Sequence, residues 1–190
     1  ADLAKEYDLP LIVDNTFASP YLCQPLKLGA DMVVHSATKY LGGHADAMGG
    51  LVISRDEMDS AALIGVMKLV GGVLGVWEAH EILRGLKTLA VRMDRQCENA
   101  RRLAKHLSGH PRVGRVHFPE LGALVSIELR DNTREAAFRF MDALKLCVRS
   151  TSLGDVFTSA LHPATASHRD LTPARRQELG IVDGLIRISV

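Results

Sequence analysis

Long hydrophobic runs, an excess of charge of one sign and a cysteine framework are all absent from this sequence. No apolar run approaches the roughly 18 residues needed to span a bilayer, and the basic and apolar pattern of a signal peptide is missing. Lysine and arginine number 23 against 22 for aspartate and glutamate, and no basic stretch stands out. We therefore expect neither a membrane nor a nucleic acid as partner.

The three cysteines are odd in number and widely separated, at Cys23, Cys97 and Cys147. Because they form no CxxC pair, the sequence suggests neither a disulfide framework nor a zinc ribbon, and we expect no metal site. A reducing compartment, the cytoplasm, is the expected location.

Apolar residues make up 47% of the 190 residues and charged residues 24%, which suits a folded chain of one domain or a domain and a half. Residues 1–7 have the pattern of the last turns of a helix, and residues 185–190 alternate like a half-buried strand. These abrupt ends lead us to expect a piece of a longer protein.

Two buried strands are predicted near the start of the chain, at Leu9–Val13 and Met32–His35. Residues 20–29 contain two prolines and end at Gly29, which suits a short helix or two turns linking parallel neighbours. The carboxyl ends of parallel strands lie at one sheet edge, where ligands bind in α/β folds. We therefore expect Asp14 and the segment Ser36–Lys39 to face the same crevice.

A long amphipathic helix is predicted from residue 86 onward, and Ser108–Pro111 stops it. We place a domain boundary there, which gives domains 1–109 and 110–190. The remaining predicted elements are a strand at Gly49–Ser54, a strand at Ala123–Leu129, a helix over 134–145 capped by Asn132 or Thr133, and a strand at 185–190. Met67 and Trp77 fall in an apolar stretch, and we expect both to pack in the core.

Ser36 and Lys39 form a Ser-x-x-Lys pair, for which three interpretations are open. Acyl-serine enzymes use this spacing, but they also need SDN and KTG elements, and neither occurs in this sequence. A second interpretation is a polar loop at the end of a strand that has no catalytic or binding role. The third is a pyridoxal phosphate site.

Pyridoxal phosphate requires a lysine amine for a Schiff base and a carboxylate beside the pyridinium nitrogen. Lys39 and Asp14 supply these two groups. The hydroxyls of Ser36 and Thr38, two residues apart, suit the phosphate.

Six segments of the chain, in order, resemble the Cys/Met metabolism (transsulfuration) family of pyridoxal phosphate enzymes. That family includes cystathionine γ-synthase, cystathionine and methionine γ-lyases, and O-acetylhomoserine sulfhydrylase. The matching segments are Val13–Pro20, Asp31–His44, Arg84–Leu89, Ser152–Asp155, His162–Ala164 and Gly184–Val190.

The resemblance implies an α/β fold of the fold type I, aspartate aminotransferase-like class. In that fold this chain would supply part of the large domain and most of the small α+β C-terminal domain. It also implies a homo-oligomer, either a dimer or a tetramer.

Residue by residue, the resemblance makes Lys39 the catalytic lysine, Asp14 the pyridinium partner, and Ser36 and Thr38 phosphate ligands. Ser152 and Arg187 would bind the substrate carboxylate, and a guanidinium holds a carboxylate by two parallel hydrogen bonds.

The chain departs from the family pattern at Phe157, where several cystathionine-processing members carry Glu, which favours a substrate with an apolar distal end. A segment that the family normally has between Phe118-Pro119 and Leu121-Gly122 is missing. The implied substrate is a sulfur-containing or O-acylated amino acid, with γ-elimination as the expected reaction. γ-Replacement and a non-catalytic fragment are the alternatives.

Overall fold

A computed structural model describes all residues, 1–190, and divides them into two compact units, Ala1–Ala90 and Val91–Val190. The domain boundary that we placed after residue 109 stays a prediction. None of the helices combines the length and the apolar character that crossing a bilayer requires.

The first unit contains a three-stranded sheet in the order β1-β2-β3. After a short helix α1 (Asp2–Glu6), the strands are β1 (Ile12–Asp14), β2 (Met32–Ser36) and β3 (Gly50–Ser54). β1 and β2 are parallel, as predicted, and β3 is antiparallel to β2. β1 begins three residues later than predicted, after Pro10, which has no N–H for a strand ladder.

The predicted crossover between the parallel strands is confirmed as two short turns. They are the helix α2 (Ser19–Leu22) and the 3-10 helix Pro25–Leu28, which ends at Gly29 with a φ of 101°. Gly29 suits that position because a left-handed backbone carries no steric cost without a Cβ.

Two helices that the sequence did not predict follow the sheet, α3 (Glu57–Val70) and α4 (Val76–Leu86). Asp56 caps α3 by accepting a hydrogen bond from the N–H of Met58 at 2.6 Å. The expectation that Met67 and Trp77 lie in the core is wrong, because they are 38% and 72% exposed and α3 buries none of its residues.

The long amphipathic helix is α5 (Leu89–Ser108), and it ends where the sequence predicted. It begins at Leu89 rather than at 86, because the N–H and the hydroxyl of Thr88 both donate to the carbonyl of Gly85 at 3.1 Å and close α4 first. Met93, Cys97 and Ala100 are buried along one face of α5.

The second unit contains a five-stranded sheet in the order β4-β5-β8-β7-β6. The strands are β4 (Val113–His117), β5 (Leu124–Leu129), β6 (Val148–Arg149), β7 (Ser159–Leu161) and β8 (Leu185–Ser189). All neighbours are antiparallel except β6 and β7. The helices are α6 (Arg134–Ala143), the 3-10 helix Pro163–Thr165 and α7 (Pro173–Glu178).

The core of this unit lies between its sheet and the helices α5 and α6. Alternate residues of β5 and β8, among them Val125, Ile127 and Ile186, are fully buried with Ala137 of α6. The predicted strands and the predicted helix, which is capped by Thr133, are therefore confirmed, each within two residues.

Candidate functional site

Lys39 lies in a π-helical turn, Ala37–Leu41, that directly follows β2. The turn departs from helical dihedral angles at Lys39 itself, where φ is −93° and ψ is −128°. Tyr40 and Leu41, which follow the lysine, are buried, whereas Lys39 is half-buried. Its amine has no hydrogen-bond or ion-pair partner within residues 1–190, so the amine is available to a ligand.

The backbone of the lysine turn is held by Gly49, the residue just before β3. The N–H groups of Ala37 and Thr38 donate to the carbonyl of Gly49 at 2.8 and 3.3 Å. Within the turn, the N–H of Gly43 donates to the carbonyl of Lys39 at 2.8 Å. The position of Lys39 is therefore fixed by main-chain contacts.

Asp14 ends β1 and is paired in register with Val34 of β2. Its carboxylate accepts a hydrogen bond from the N–H of Thr16 at 2.9 Å. The hydroxyl of Thr16 is the largest influence that lowers the pKa of Asp14, and the Thr16 N–H adds to it. Asp14 therefore carries a negative charge at neutral pH.

Thr16 also connects the two parallel strand ends, because its hydroxyl oxygen accepts a hydrogen bond from the N–H of Ser36 at 2.8 Å. This role of Thr16 was not predicted from the sequence. The available signal was the Asp-x-Thr spacing, in which an Asp side chain caps the N–H two residues on.

His35, on β2, is 4% exposed, and its Nδ1 atom has no hydrogen-bond partner. Burial lowers the pKa of His35, and the nearby charge of Asp14 only partly opposes this change. The imidazole is therefore neutral at pH 7, which leaves Asp14 as the charged member of the pair.

The two predicted phosphate ligands differ in their present partners. The Thr38 hydroxyl accepts from the N–H of Gly49 at 3.0 Å and lies 3.4 Å from the carbonyl of that glycine. The Ser36 hydroxyl has no hydrogen-bond partner within residues 1–190. Of the two side chains, Ser36 is therefore the one whose hydroxyl is free to bind a ligand. The assignment of Ser36 and Thr38 as phosphate ligands stays a prediction.

Asp14, Ser36, Thr38 and Lys39 all lie in the first unit, at the carboxyl ends of two adjacent parallel strands and in the turn that follows. The donor set is an unpartnered amine, an ionised carboxylate and a free hydroxyl. These groups fit a cofactor with an aldehyde, a basic ring nitrogen and a phosphate, which is the composition of pyridoxal phosphate. No group of three or more His, Cys, Asp or Glu residues in positions 1–190 is arranged to hold a metal ion.

Arg187 and Ser152 lie together in the second unit. The guanidinium of Arg187 donates to the carbonyls of Thr151 and Ser152 at 3.0 and 2.9 Å. Its neighbours on β8, Ile186 and Ile188, are buried on the opposite face of the strand. Arg187 therefore projects away from the core, as the alternation predicted.

The Ser152–Asp155 loop is fastened by buried polar contacts. Gly154 donates its N–H to the Ser189 hydroxyl at 2.9 Å, and the Gln96 side chain donates to the carbonyl of Asp155 at 2.7 Å. Burial lowers the pKa of Arg92, and the charge of Asp155, which is 2% exposed, partly opposes this shift. Neither Gln96 nor Arg92 was predicted from the sequence to have a role, although polar residues near the apolar stripe of α5 were a signal.

Comparison with known proteins places these residues in a family. A model described as "Cys/Met metabolism PLP-dependent enzyme" matches residues 1–190. The L-methionine gamma-lyase of Fusobacterium nucleatum subsp. nucleatum is 46% identical over 197 residues, which cover 95% of this chain and 50% of that protein. The cystathionine gamma-lyase of Bacillus subtilis is 44% identical, covering 100% of this chain and 54% of that protein.

Solved structures agree with this result. A cystathionine gamma synthase from Xanthomonas oryzae pv. oryzae matches with a TM-score of 0.95 and 38% identity, covering 100% of this chain and 53% of that one. The CalE6 cystathionine gamma-lyase from Micromonospora echinospora matches with a TM-score of 0.94 and 38% identity, covering 98% and 53%. These neighbours confirm the predicted fold class, and the chain spans about half the length of the relatives it matches. The chain belongs to the Cys/Met metabolism family of PLP-dependent enzymes.

Proposed function

We propose that Lys39 of this chain binds pyridoxal phosphate and that the whole protein catalyses γ-elimination from a methionine- or cystathionine-type amino acid. The observation that carries the proposal is the unpartnered amine of Lys39 in the turn after β2, with the ionised Asp14 at the end of the adjacent strand. The names of the relatives, mostly methionine and cystathionine lyases, support the choice of reaction.

When bound, pyridoxal phosphate supplies a protonated ring that accepts electron density from the α carbon of an amino acid. Asp14 holds the proton on the ring nitrogen through its negative charge. Ser36 and Thr38 donate hydroxyl hydrogen bonds to the phosphate. Lys39 would hold the cofactor through its amine, and the same amine would act as the base that moves the α and β protons of the substrate.

Arg187 and Ser152 are assigned to the α-carboxylate of the substrate. The carbonyls of Thr151 and Ser152 accept hydrogen bonds from Nη2 and orient the Arg187 guanidinium, and a planar guanidinium can bind a carboxylate by two parallel hydrogen bonds. Phe157, which is half-buried two residues after Asp155, is assigned to the distal end of the substrate by the family resemblance.

γ-Replacement is the second candidate, and the similarity to a cystathionine gamma synthase structure favours it. Incubation with methionine, with cystathionine, and with O-acetylhomoserine plus sulfide separates the two reactions. Elimination releases an α-keto acid and ammonia, whereas replacement yields a new thioether or thiol amino acid. A chain that folds but yields no product with any of these substrates is the third candidate, a non-catalytic fragment.

The assignment of Lys39 is tested by borohydride reduction of the cofactor-loaded protein, expressed from its complete reading frame, followed by peptide mapping. We expect the pyridoxyl group on Lys39. Lys39→Arg should abolish the label, while Lys87→Arg, an exposed lysine at the end of α4, should keep it. Label on another lysine in the unmodified protein would overturn the assignment.

The resemblance to these enzymes also supports a homo-oligomer, a dimer or tetramer, located in the cytoplasm. Both are part of the proposal for the whole protein.

A further inference from the structure

The turn that carries Lys39 lies against the last helical turn of α4 at Gly85. This glycine is buried, and a Cβ atom in its place would lie 2.0 Å from the carbonyl oxygen of Gly42. The same Cβ would lie 2.8 Å from the carbonyl carbon of Gly42 and 2.9 Å from the oxygen of Leu41. All three atoms are backbone, so no side-chain rotation relieves the overlap.

The backbone atoms that Gly85 meets are coupled directly to Lys39. Leu41 and Gly42 follow the lysine by two and three positions. Gly42 donates its N–H to the carbonyl of Ala37 at 2.9 Å, and Gly43 donates to the carbonyl of Lys39 at 2.8 Å. Displacement of Gly42 therefore moves the turn that orients the lysine side chain.

A second contact fastens the loop after the turn to α4. Arg84 binds the carboxylate of Asp46 at 2.8 Å and that of Glu81 at 2.6 Å. His44 makes a hydrogen bond through Nδ1 with the carbonyl of Gly42 at 2.8 Å. The Asp46 pair lies at the surface, where such pairs contribute little to stability, so its effect is on the position of the loop, whereas the Glu81 side chain is only 11% exposed.

On its other side the turn meets Gly49, which differs from Gly85 in what an added methyl group would touch. A Cβ at Gly49 would approach only the ends of the Leu74 and Ile82 side chains, at 2.8 and 2.9 Å. Those side chains can rotate, whereas the backbone beside Gly85 cannot.

We propose that Gly85 is a positioning residue, which sets where the Lys39 amine meets the cofactor, with Arg84 and Asp46 holding the loop that follows. The inference rests on the proposed role of Lys39. Gly85 acts through the backbone of the lysine turn and does not itself touch the cofactor.

The test compares Gly85→Ala with Gly65→Ala, a helical glycine of α3 whose added methyl group would meet no atom within 4 Å. In the protein from the complete reading frame, label on Lys39 after borohydride reduction is measured against pyridoxal phosphate concentration. The second readout is the pH at which half of the visible absorption band of the bound cofactor is lost. We expect Gly85→Ala to need at least tenfold more cofactor and to shift this pH, and Gly65→Ala to match the unmodified protein.

Arg84→Gln provides a second variant, because it removes the exposed ion pair with Asp46 without adding bulk, while the Gln amide can still donate a hydrogen bond to Glu81. We expect it to need about threefold more cofactor, and Arg84→Lys to restore binding. A folded Gly85→Ala with the cofactor requirement and the pH of the unmodified protein would overturn the inference. If Gly85→Ala does not fold, an unchanged cofactor requirement in Arg84→Gln would overturn it. Absence of label on Lys39 in the unmodified protein would instead overturn the proposed function.

Discussion

The largest influence on the pKa of Asp14 is its neighbour Thr16. The hydroxyl and the N–H of Thr16 stabilise the carboxylate and lower its pKa, and the same hydroxyl oxygen accepts from the N–H of Ser36. Thr16 thus lowers the pKa of Asp14 and connects the end of β1 to the strand that leads to Lys39.

Asp14→Asn should leave cofactor bound to Lys39 but reduce turnover on the order of 100-fold, because the ring nitrogen loses its anionic partner. Since the pKa of Asp14 lies below its ordinary value of 3.8, the carboxylate stays ionised as pH falls toward that value. The ratio of unmodified to variant kcat should therefore be constant between about pH 5 and pH 8.

The matched control for Asp14→Asn is Asp8→Asn, at an exposed acid that precedes β1 in the same unit. It should keep the unmodified kcat. Near-normal turnover in Asp14→Asn would remove Asp14 from the proposed role.

Arg187→Lys keeps the positive charge but loses the planar fork, so one point of attachment to a carboxylate is lost. We expect KM for the best amino-acid substrate to rise by the equivalent of about 1 to 3 kcal/mol of binding, with a smaller change in kcat. Arg139→Lys, at an exposed position of α6, should change neither constant. An unchanged KM together with a lower Tm would make Arg187 a structural residue.

Among helices and strands, those with a long periodic pattern were predictable from the sequence. β5 and β8 alternate over five or six residues, and α5 repeats its apolar positions over twenty. β6 and β7 have two and three residues, and all of β7 is buried, so no alternation marks them.

α3 and the start of α4 show why apolar residues alone were misleading. Apolar residues of these segments occur on several sides, and many remain exposed, so the sequence showed neither a clear helical stripe nor a core. The break between α4 and α5 depends on the contacts of Thr88 with one carbonyl, which helical periodicity does not reveal.

The candidate site was predictable where it depends on strand ends and not where it depends on contacts between distant residues. Asp14 ends β1 and Lys39 follows β2, and because these strands are adjacent and parallel, both residues lie at one sheet edge. Gly85 contacts the lysine turn from a separate helix, and Gln96 reaches the Asp155 loop from α5. Nothing in the local sequence distinguishes such a glycine from an ordinary helical one.

Across the 190 residues, the largest continuous series of exposed apolar side chains belongs to α3 and the segment leading into α4. Exposed apolar patches of this kind mark association surfaces. The members with more than half of their surface exposed are Met58, Val66, Leu69, Val70, Val73, Val76 and Trp77.

We therefore expect the 190-residue polypeptide by itself to associate, with a weight-average sedimentation coefficient that rises with protein concentration. Leu69→Glu combined with Val76→Glu should reduce this dependence, because two charges would have to be buried on association. Leu146→Glu, at an equally exposed leucine of the second unit, is the control and should not reduce it. A single monomeric species at every concentration would contradict the prediction.

The support of Arg187 by main-chain carbonyls has an evolutionary consequence. Every residue type supplies a carbonyl, so substitutions at positions 151 and 152 leave the two hydrogen bonds to the guanidinium in place. The proposed carboxylate anchor would then be kept while other residues of the proposed site, such as Phe157, vary. Single mutations could in this way exchange one amino-acid substrate for another. Binding of the carboxylate that all amino acids share would be kept at every step.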